Sequence, residues 1–403
     1  MNILIVSHQF YPLNSPRAFR WKSIYDDLKN KGHTVKIITG TFQEKSNDDI
    51  FFIGNQKSKT FINNVRSRSN QVDSNKMFIN FIYLILKKAY RLFYKTFAWP
   101  DYSMFWLYSV WKNRKHIDYQ YDVIISVSLP FSSHLAAYIL NKKNQKKWIM
   151  DIGDPFSLKE NAYENNKYLY KYLNFYIEKK FYNIAHQIIF THKESSDSHI
   201  KYFKINKEKI YIGSPISTFN DELFEASKSY KYNTLPIKLG YFGVLTKGVR
   251  SPENTLKFFK NSDFEFNWYT NPDSKLMVTQ NKINLDNHKF FDMVSRDEAL
   301  DKMTSSLHCL LSIGNLNPGQ LPSKIIEYIS TGKPVIHFAE IDDDPVIQIS
   351  KQFNNLIIVN TDSNLPELED KLNKIFLNID TFNKETFIKN YSAGAITSNL
   401  DIL

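Results

Sequence analysis

The sequence predicts an α/β protein made of two doubly wound parallel sheets, each covered by helices on both faces. Three observations carry that prediction. Strand-like runs rich in Ile and Val alternate with helical runs along the 403 residues. The runs fall into two series, separated by a stretch without pattern at residues 216–234. With 42% hydrophobic and 15% aromatic residues, the chain has enough apolar surface for two cores. The expected organisation is a first domain over 1–215, a linker over 216–234, a second domain over 235–380 and a terminal helix over 381–403 that crosses back to the first domain. Ligands of such sheets bind at the carboxyl ends of the strands, here in a cleft between the two domains.

In the first domain, residues 2–7, 34–38, 121–128, 147–151, 187–190 and 209–212 read as strands. The loop after the first strand lacks a G-x-G-x-x-G turn, which disfavours a nicotinamide-dinucleotide enzyme. It does carry Arg17, and a loop arginine at a strand's carboxyl end can reach a phosphate, making it an acceptor-site candidate. Asp151 and Asp154 stand at the carboxyl end of the fourth strand, where a carboxylate can orient or deprotonate a hydroxyl. Asp154 before Pro155 also fits a cap or turn, Asp151 also fits a structural hydrogen bond, and His134 in an apolar helix start fits a packed histidine.

In the second domain, residues 237–243, 264–269, 306–313, 333–338 and 355–359 read as strands. After the first of them comes a loop with Gly243, which would let a ligand approach the backbone, and with the two cations Lys247 and Arg250. Ser295 and Glu298 have capping-box spacing, and Asp342 to Asp344 read as a helix start and not as a metal site. The most informative run is Gly319 to Ile336, GQLPSKIIEYISTGKPVI. Pro322 suits a first helical turn, and Gly332 with Pro334 gives a stop. Lys324 and Glu327 lie three apart on one face: a lysine beside a helix start attracts anions, and a glutamate one turn on can accept bonds from sugar hydroxyls. Together they fit a nucleotide diphosphate and its ribose, or a plain surface pair.

The single cysteine, Cys309, falls in an apolar run, and no Cys/His cluster has zinc spacing, so neither a disulfide nor a metal is expected. The amino terminus begins on a strand without signal-peptide character, which predicts a cytoplasmic protein. The net charge of +11 is concentrated between Gln56 and His116, where twelve Lys/Arg face two Asp. Met77 to Trp99 in that region is basic, aromatic and too short in its uncharged run to span a bilayer, a composition suited to an anionic membrane surface or to a domain helix with a basic face. No nucleic-acid-binding motif accompanies the charge, so nucleic acid is not an expected partner.

The run Pro322, Ser323, Lys324, Glu327, Tyr328, Gly332, Lys333, Pro334, Val335, Ile336 resembles the donor-site signature of family 4 glycosyltransferases with the GT-B fold, particularly bacterial surface-polysaccharide members. Gly32, His33 and Val35 match the family's G-H-x-V turn, and YFGVLTKGVRSPEN resembles its loop after the first strand of the second domain. SVSLPFSSHLAAYILNKKNQKKWIMDIGDPF is similar to a subgroup motif ending D-x-R-D-P-W. Three positions depart: Gly319 stands where many members have a first glutamate, Gly153 replaces the motif's arginine, and Phe156 replaces its tryptophan. The resemblance implies two Rossmann-like domains and metal-independent, retaining transfer of a sugar from a nucleotide-diphosphate sugar. It implies a lipid-linked or polysaccharide acceptor in capsule or O-antigen synthesis, on the inner face of the cell membrane. Pro322, Lys324, Glu327, Gly243, Lys247 and Arg250 would hold the donor, and Asp154 would serve the acceptor hydroxyl, with Arg17 and Asp151 beside it. A sugar-nucleotide epimerase of the same fold, and a non-catalytic subunit of a polysaccharide assembly complex, are the alternatives.

Overall fold

The computed structural model describes residues 1–13, 15–42, 48–54, 96–117, 119–159, 164–217, 219–229, 236–281, 285–316, 321–322, 324–377 and 382–402. The basic, aromatic stretch up to Lys95, together with Gly319 and Ser323, lies outside these residues. Contacts divide the chain into two compact units, Met1–Ser214 with Ile396–Leu403, and Pro215–Ala395.

The first unit holds β1 (Asn2–Val6), β2 (Thr34–Thr39), β3 (Ile50–Phe52), β4 (Val123–Val127), β5 (Lys147–Ile152), β6 (Gln187–Phe190) and β7 (Ile210–Ile212). They form one parallel sheet in the order β3-β2-β1-β4-β5-β6-β7. β-Branched residues dominate β1 and β4, and Ile3, Ile5, Val6, Val123, Ile124 and Val127 are buried. That pattern, apolar on both faces, is what a parallel sheet covered by helices requires. The helix Pro16–Asn30 returns the chain from β1 to β2; Ser15 caps it by accepting from the Ala18 amide at 3.2 Å, with Pro16 at its first position. Gly32 then takes φ +82°, which lets the chain turn sharply into β2.

The second unit holds β8 (Lys238–Phe242), β9 (Glu265–Tyr269), β10 (His288–Phe291), β11 (Cys309–Ile313), β12 (Val335–Phe338) and β13 (Leu356–Val359), all parallel, in the order β10-β9-β8-β11-β12-β13. Two apolar clusters, one on Leu310, Ile325 and Val335 and the other on Leu239, Trp268 and Leu311, make up its core. Cys309 is buried in the sheet. Asp344 starts a short helix, accepting from the Val346 amide at 2.9 Å, and its other oxygen meets His337 Nε2 at 3.0 Å.

Two expectations need correction. The stretch 216–234 is not a featureless linker: it contains the helix Asp221–Ser229, started by the Asn220 side-chain Oδ1, which accepts from the Glu222 and Leu223 amides, and anchored by buried Phe224. Only a narrow row of apolar residues marks that helix in the sequence. The terminal segment is not one helix either. Lys384–Tyr391 is helical within the second unit, the chain breaks at Ser392, and Ile396–Leu403 clusters with the first. There Gln187 Nε2 donates to the Asn399 carbonyl at 2.9 Å, and Lys147 pairs with Asp401 at 3.1 Å. Among the described residues, no helix is long and apolar enough to cross a membrane.

Candidate functional site

In the second unit the strand order reverses between β8 and β11, and the loops leaving their carboxyl ends flank this switch. After β8, Gly243 donates to the Tyr269 carbonyl at 3.2 Å, and its own carbonyl accepts from Thr270 Oγ1 at 2.6 Å. A Cβ there would meet protein atoms no closer than 3.4 Å, so packing within the protein does not itself demand a glycine. The loop then folds on itself: the Thr246 amide donates to Arg250 O at 3.2 Å and the Arg250 amide to Thr246 O at 2.8 Å, with Gly248 at φ +76° in the turn. Lys247 is left exposed at the tip. Arg250 Nε and Nη2 both donate to Asn315 Oδ1, at 3.1 and 2.8 Å, which ties the β8 loop to the end of β11.

The helix carrying Glu327 is shorter than expected. It spans Ile325–Ser330, with Lys324 at its cap position, so Pro322 lies before the helix, where its carbonyl accepts from the Ile325 amide at 3.1 Å. Six residues cannot furnish the helix-start anion site inferred from the sequence, and the charge there comes from side chains. Gly332, at φ +74°, ends the run as its position implied. Glu327 itself is buried, which removes the surface-pair alternative. One carboxylate oxygen accepts from Lys324 Nζ and the other from Arg296 Nε, each at 2.7 Å. Burial acts to raise its pKa, but Lys324 and Arg296 outweigh burial and hold it below the usual range. Buried Tyr328 fixes the helix, its hydroxyl accepting from the Phe242 amide at 2.8 Å and donating to the Phe242 carbonyl at 3.1 Å. The Glu327 cluster is thus tied to the residue preceding Gly243. Each carboxylate oxygen keeps a lone pair beyond its ion pair, and an ammonium has three donors, so the cluster can still take both hydroxyls and phosphate oxygens.

Sequence reasoning missed Arg296. It sits at the first position of the helix Arg296–Ser305, directly after Ser295, whose hydroxyl accepts from the Glu298 amide at 3.3 Å. The capping pattern was legible, but the arginine inside it reaches a partner 31 positions away.

In the first unit, Asp151 is fully buried at the end of β5. Its Oδ2 accepts from Arg17 Nη1 and Trp21 Nε1, each at 2.6 Å, while Oδ1 has no hydrogen-bond partner. A Cβ at position 153 would coincide with the Arg17 guanidinium. The arginine missing from the β5 loop is therefore replaced in space by one delivered from the helix Pro16–Asn30. Asp154, beside Pro155, is half-buried and makes no hydrogen bond among the described residues, so it is not a cap. Near it is His192, unremarked in the sequence: burial lowers its pKa, opposed by the charges of Glu194 and Asp154, and its Nδ1 lies 3.0 Å from Thr191 Oγ1. His134 is a packed residue, its Nδ1 2.7 Å from Ser126 Oγ, with burial, then Arg17, pushing its pKa down to about 3. The structure thus gathers Arg17, Asp151 and Asp154 at one edge of the first sheet. It groups Gly243, Lys247, Arg250, Lys324 and Glu327 around the switch of the second.

No family model matches the sequence, and no curated protein matches it. Solved structures do match along the whole chain. A glycosyltransferase from Rickettsia africae ESF-5 superposes with a TM-score of 0.55 at 14% identity, covering 99% of both chains. Sucrose-phosphate synthase from Thermosynechococcus elongatus gives 0.61 at 11% identity over 98% of this chain and 96% of that one. UDP-GlcNAc 2-epimerase from Methanocaldococcus jannaschii gives 0.51 at 11% identity over 99% of each. Identity at this level speaks to architecture alone: two all-parallel sheets with their helices, matched from end to end, give this chain the GT-B fold.

Proposed function

We propose that the protein is a retaining, metal-independent glycosyltransferase that moves a sugar from a nucleotide-diphosphate sugar to a lipid-linked or polysaccharide acceptor, in cell-surface polysaccharide synthesis at the cytoplasmic face of a membrane. The observation that carries this reading is the buried Glu327 carboxylate between Lys324 and Arg296 at the carboxyl edge of a doubly wound sheet. Burying an ionised carboxylate with two cations is costly, and a ligand offering both hydroxyls and an anion fits the lone pairs and donors that remain. A ribose joined to a diphosphate is such a ligand. Lys247 and Arg250 would meet the phosphates, with Gly243 and Pro322 bordering them. In the reaction the acceptor oxygen bonds to the anomeric carbon on the same face from which the diphosphate oxygen departs, so that configuration is retained; the diphosphate leaves with the electron pair. Asp154 would take the hydroxyl proton, with Arg17 and Asp151 shaping the acceptor edge.

The test is calorimetry with nucleoside diphosphates, paired with donor hydrolysis. Wild type should bind one nucleoside diphosphate and slowly release it from the matching nucleotide sugar without acceptor. Glu327→Ala should weaken binding about ten- to 150-fold, the effect of losing hydrogen bonds that involve a charged group. Unchanged binding would reduce Glu327 to a structural ion pair. Interconversion of the sugar in place of release would identify an epimerase, and neither binding nor turnover a non-catalytic subunit.

A further inference from the structure

The helix Lys167–Ile184 carries a row of aromatic residues that no other described residue covers. Tyr168, Tyr172 and Tyr176, one turn apart, are 95%, 84% and 63% exposed, and Leu169 and Leu173 beside them are exposed as well. Isolated apolar residues on a surface need no explanation, but a contiguous row over three turns marks an interaction face. Lys171 and Lys179 flank the row in solvent. The helix has one acid, Glu178, and it is buried, accepting from Tyr182 Oη at 2.6 Å and from the Ser157 amide at 3.0 Å. The exposed face is therefore aromatic, aliphatic and positive, without a negative charge. A neighbouring helix repeats the theme. Met104–Asn113 exposes Tyr108 and Trp111, and the segment before it is bound to Lys167–Ile184 through Trp99 Nε1 on Asn174 Oδ1 at 3.0 Å.

We propose that this tyrosine row is the surface on which the protein meets an anionic lipid bilayer. Tyrosine, with an apolar ring and a polar tip, suits the boundary between headgroups and acyl chains; lysine adds attraction to anionic headgroups. The same face fits other partners poorly. A nucleic acid has no apolar layer in which to bury Leu169 and Leu173, and a second copy meeting this face across a two-fold axis would set lysine against lysine. The exposed turns are the first of the helix, just past the loop that leaves β5. They stand at the carboxyl edge of the sheet, the edge that holds Asp151 and Asp154. On the reading of a lipid-linked acceptor, on which this inference rests, the bilayer lies on the side from which the acceptor arrives.

The experiment is cosedimentation of the full chain with phosphatidylcholine vesicles, with and without phosphatidylglycerol. Wild type should pellet with the anionic vesicles and poorly with neutral ones. Tyr168→Ala/Tyr172→Ala/Tyr176→Ala and, separately, Lys171→Glu/Lys179→Glu should each bind the anionic vesicles about tenfold more weakly or worse. Both should keep wild-type donor hydrolysis and unfolding midpoints. Unchanged vesicle binding by the variants, or equal wild-type binding to both vesicle types, would overturn the proposal. So would self-association of the wild type that the tyrosine variant loses, or retention of the wild type by an acidic protein or nucleic acid in place of vesicles. Vesicle binding without donor hydrolysis would instead sink the transferase reading and leave the surface standing.

Discussion

Position 153 shows how one missing side chain can be the counterpart of another, distant one. Gly153 leaves open the space that the Arg17 guanidinium fills, and Arg17 is the cation that compensates buried Asp151. Breaking a buried pair by removing one partner typically costs about 3–5 kcal/mol, because the remaining charge stays buried. Gly153→Ala should destabilise the protein by displacing Arg17, and Arg17→Ala should do so directly. In a double-mutant cycle followed by urea unfolding, the two should be far from additive: once Arg17 is gone, a methyl at 153 has room and should cost little. Additive effects would mean that the guanidinium does not occupy that space. The sequence announced Gly153 only as a departure from a resemblance. Its meaning was not legible, because the arginine that answers it is Arg17, far away in the sequence and 134 positions from its partner Asp151, and only the packing of the first helix on β5 brings them together. Arg296 was hidden for the same reason. Glu327 and Lys324 were legible because their relation is local, three residues on one short helix.

Among elements, the interior strands could be read because they are largely buried runs of apolar residues, rich in Ile and Val in β1 and β4 and aromatic in β9. β3 and β10 could not. They are edge strands of three and four residues, paired on one side only and partly exposed, so they carry neither the length nor the apolar continuity of the others. The helix at Lys324 was read too early because proline at 322 suits a first turn, and tertiary bonds of Tyr328 set the actual start. The loop Thr246–Arg250 gives a prediction about elements, because its two cations are held differently. Arg250 is bonded to Asn315, whereas Lys247 stands exposed at the tip. If the loop meets the leaving diphosphate, charge stabilisation is greatest in the transition state. Lys247→Ala should then lower turnover on the order of tenfold or more while leaving donor affinity and unfolding nearly unchanged. Arg250→Ala should lower turnover at least as much and also loosen the loop. Steady-state kinetics at saturating donor decide it: wild-type turnover in both would place the diphosphate elsewhere.

At the scale of the molecule, the two units share one acid liability through histidines that the folded state keeps neutral. In the first unit burial, then Arg17, pushes His134 down to about 3. In the second, burial pushes His288 down to about 4, and burial, with Lys333 and Lys238, pushes His308 down to about 4. An unfolded chain protonates histidine at its ordinary value of roughly 6.5, so between there and pH ~4 the unfolded state binds protons that the folded state refuses. For a base whose folded pKa is lowered, stability is fully present above 6.5 and falls as pH drops through that window. Each such proton contributes a slope of about 1.4 kcal/mol per pH unit. Urea unfolding between pH 7 and pH 4.5 should therefore show stability falling steadily, before most carboxylates titrate. Fluorescence separates the units: Trp268, packed against His288, is the one tryptophan of the second unit, and the other five belong to the first. His134→Gln should flatten the acid limb of the first unit by about one proton and leave that of the second unchanged. A stability constant across pH 4.5 to 6.5 would mean that these imidazoles take up protons in the fold as readily as in water, which their packing forbids.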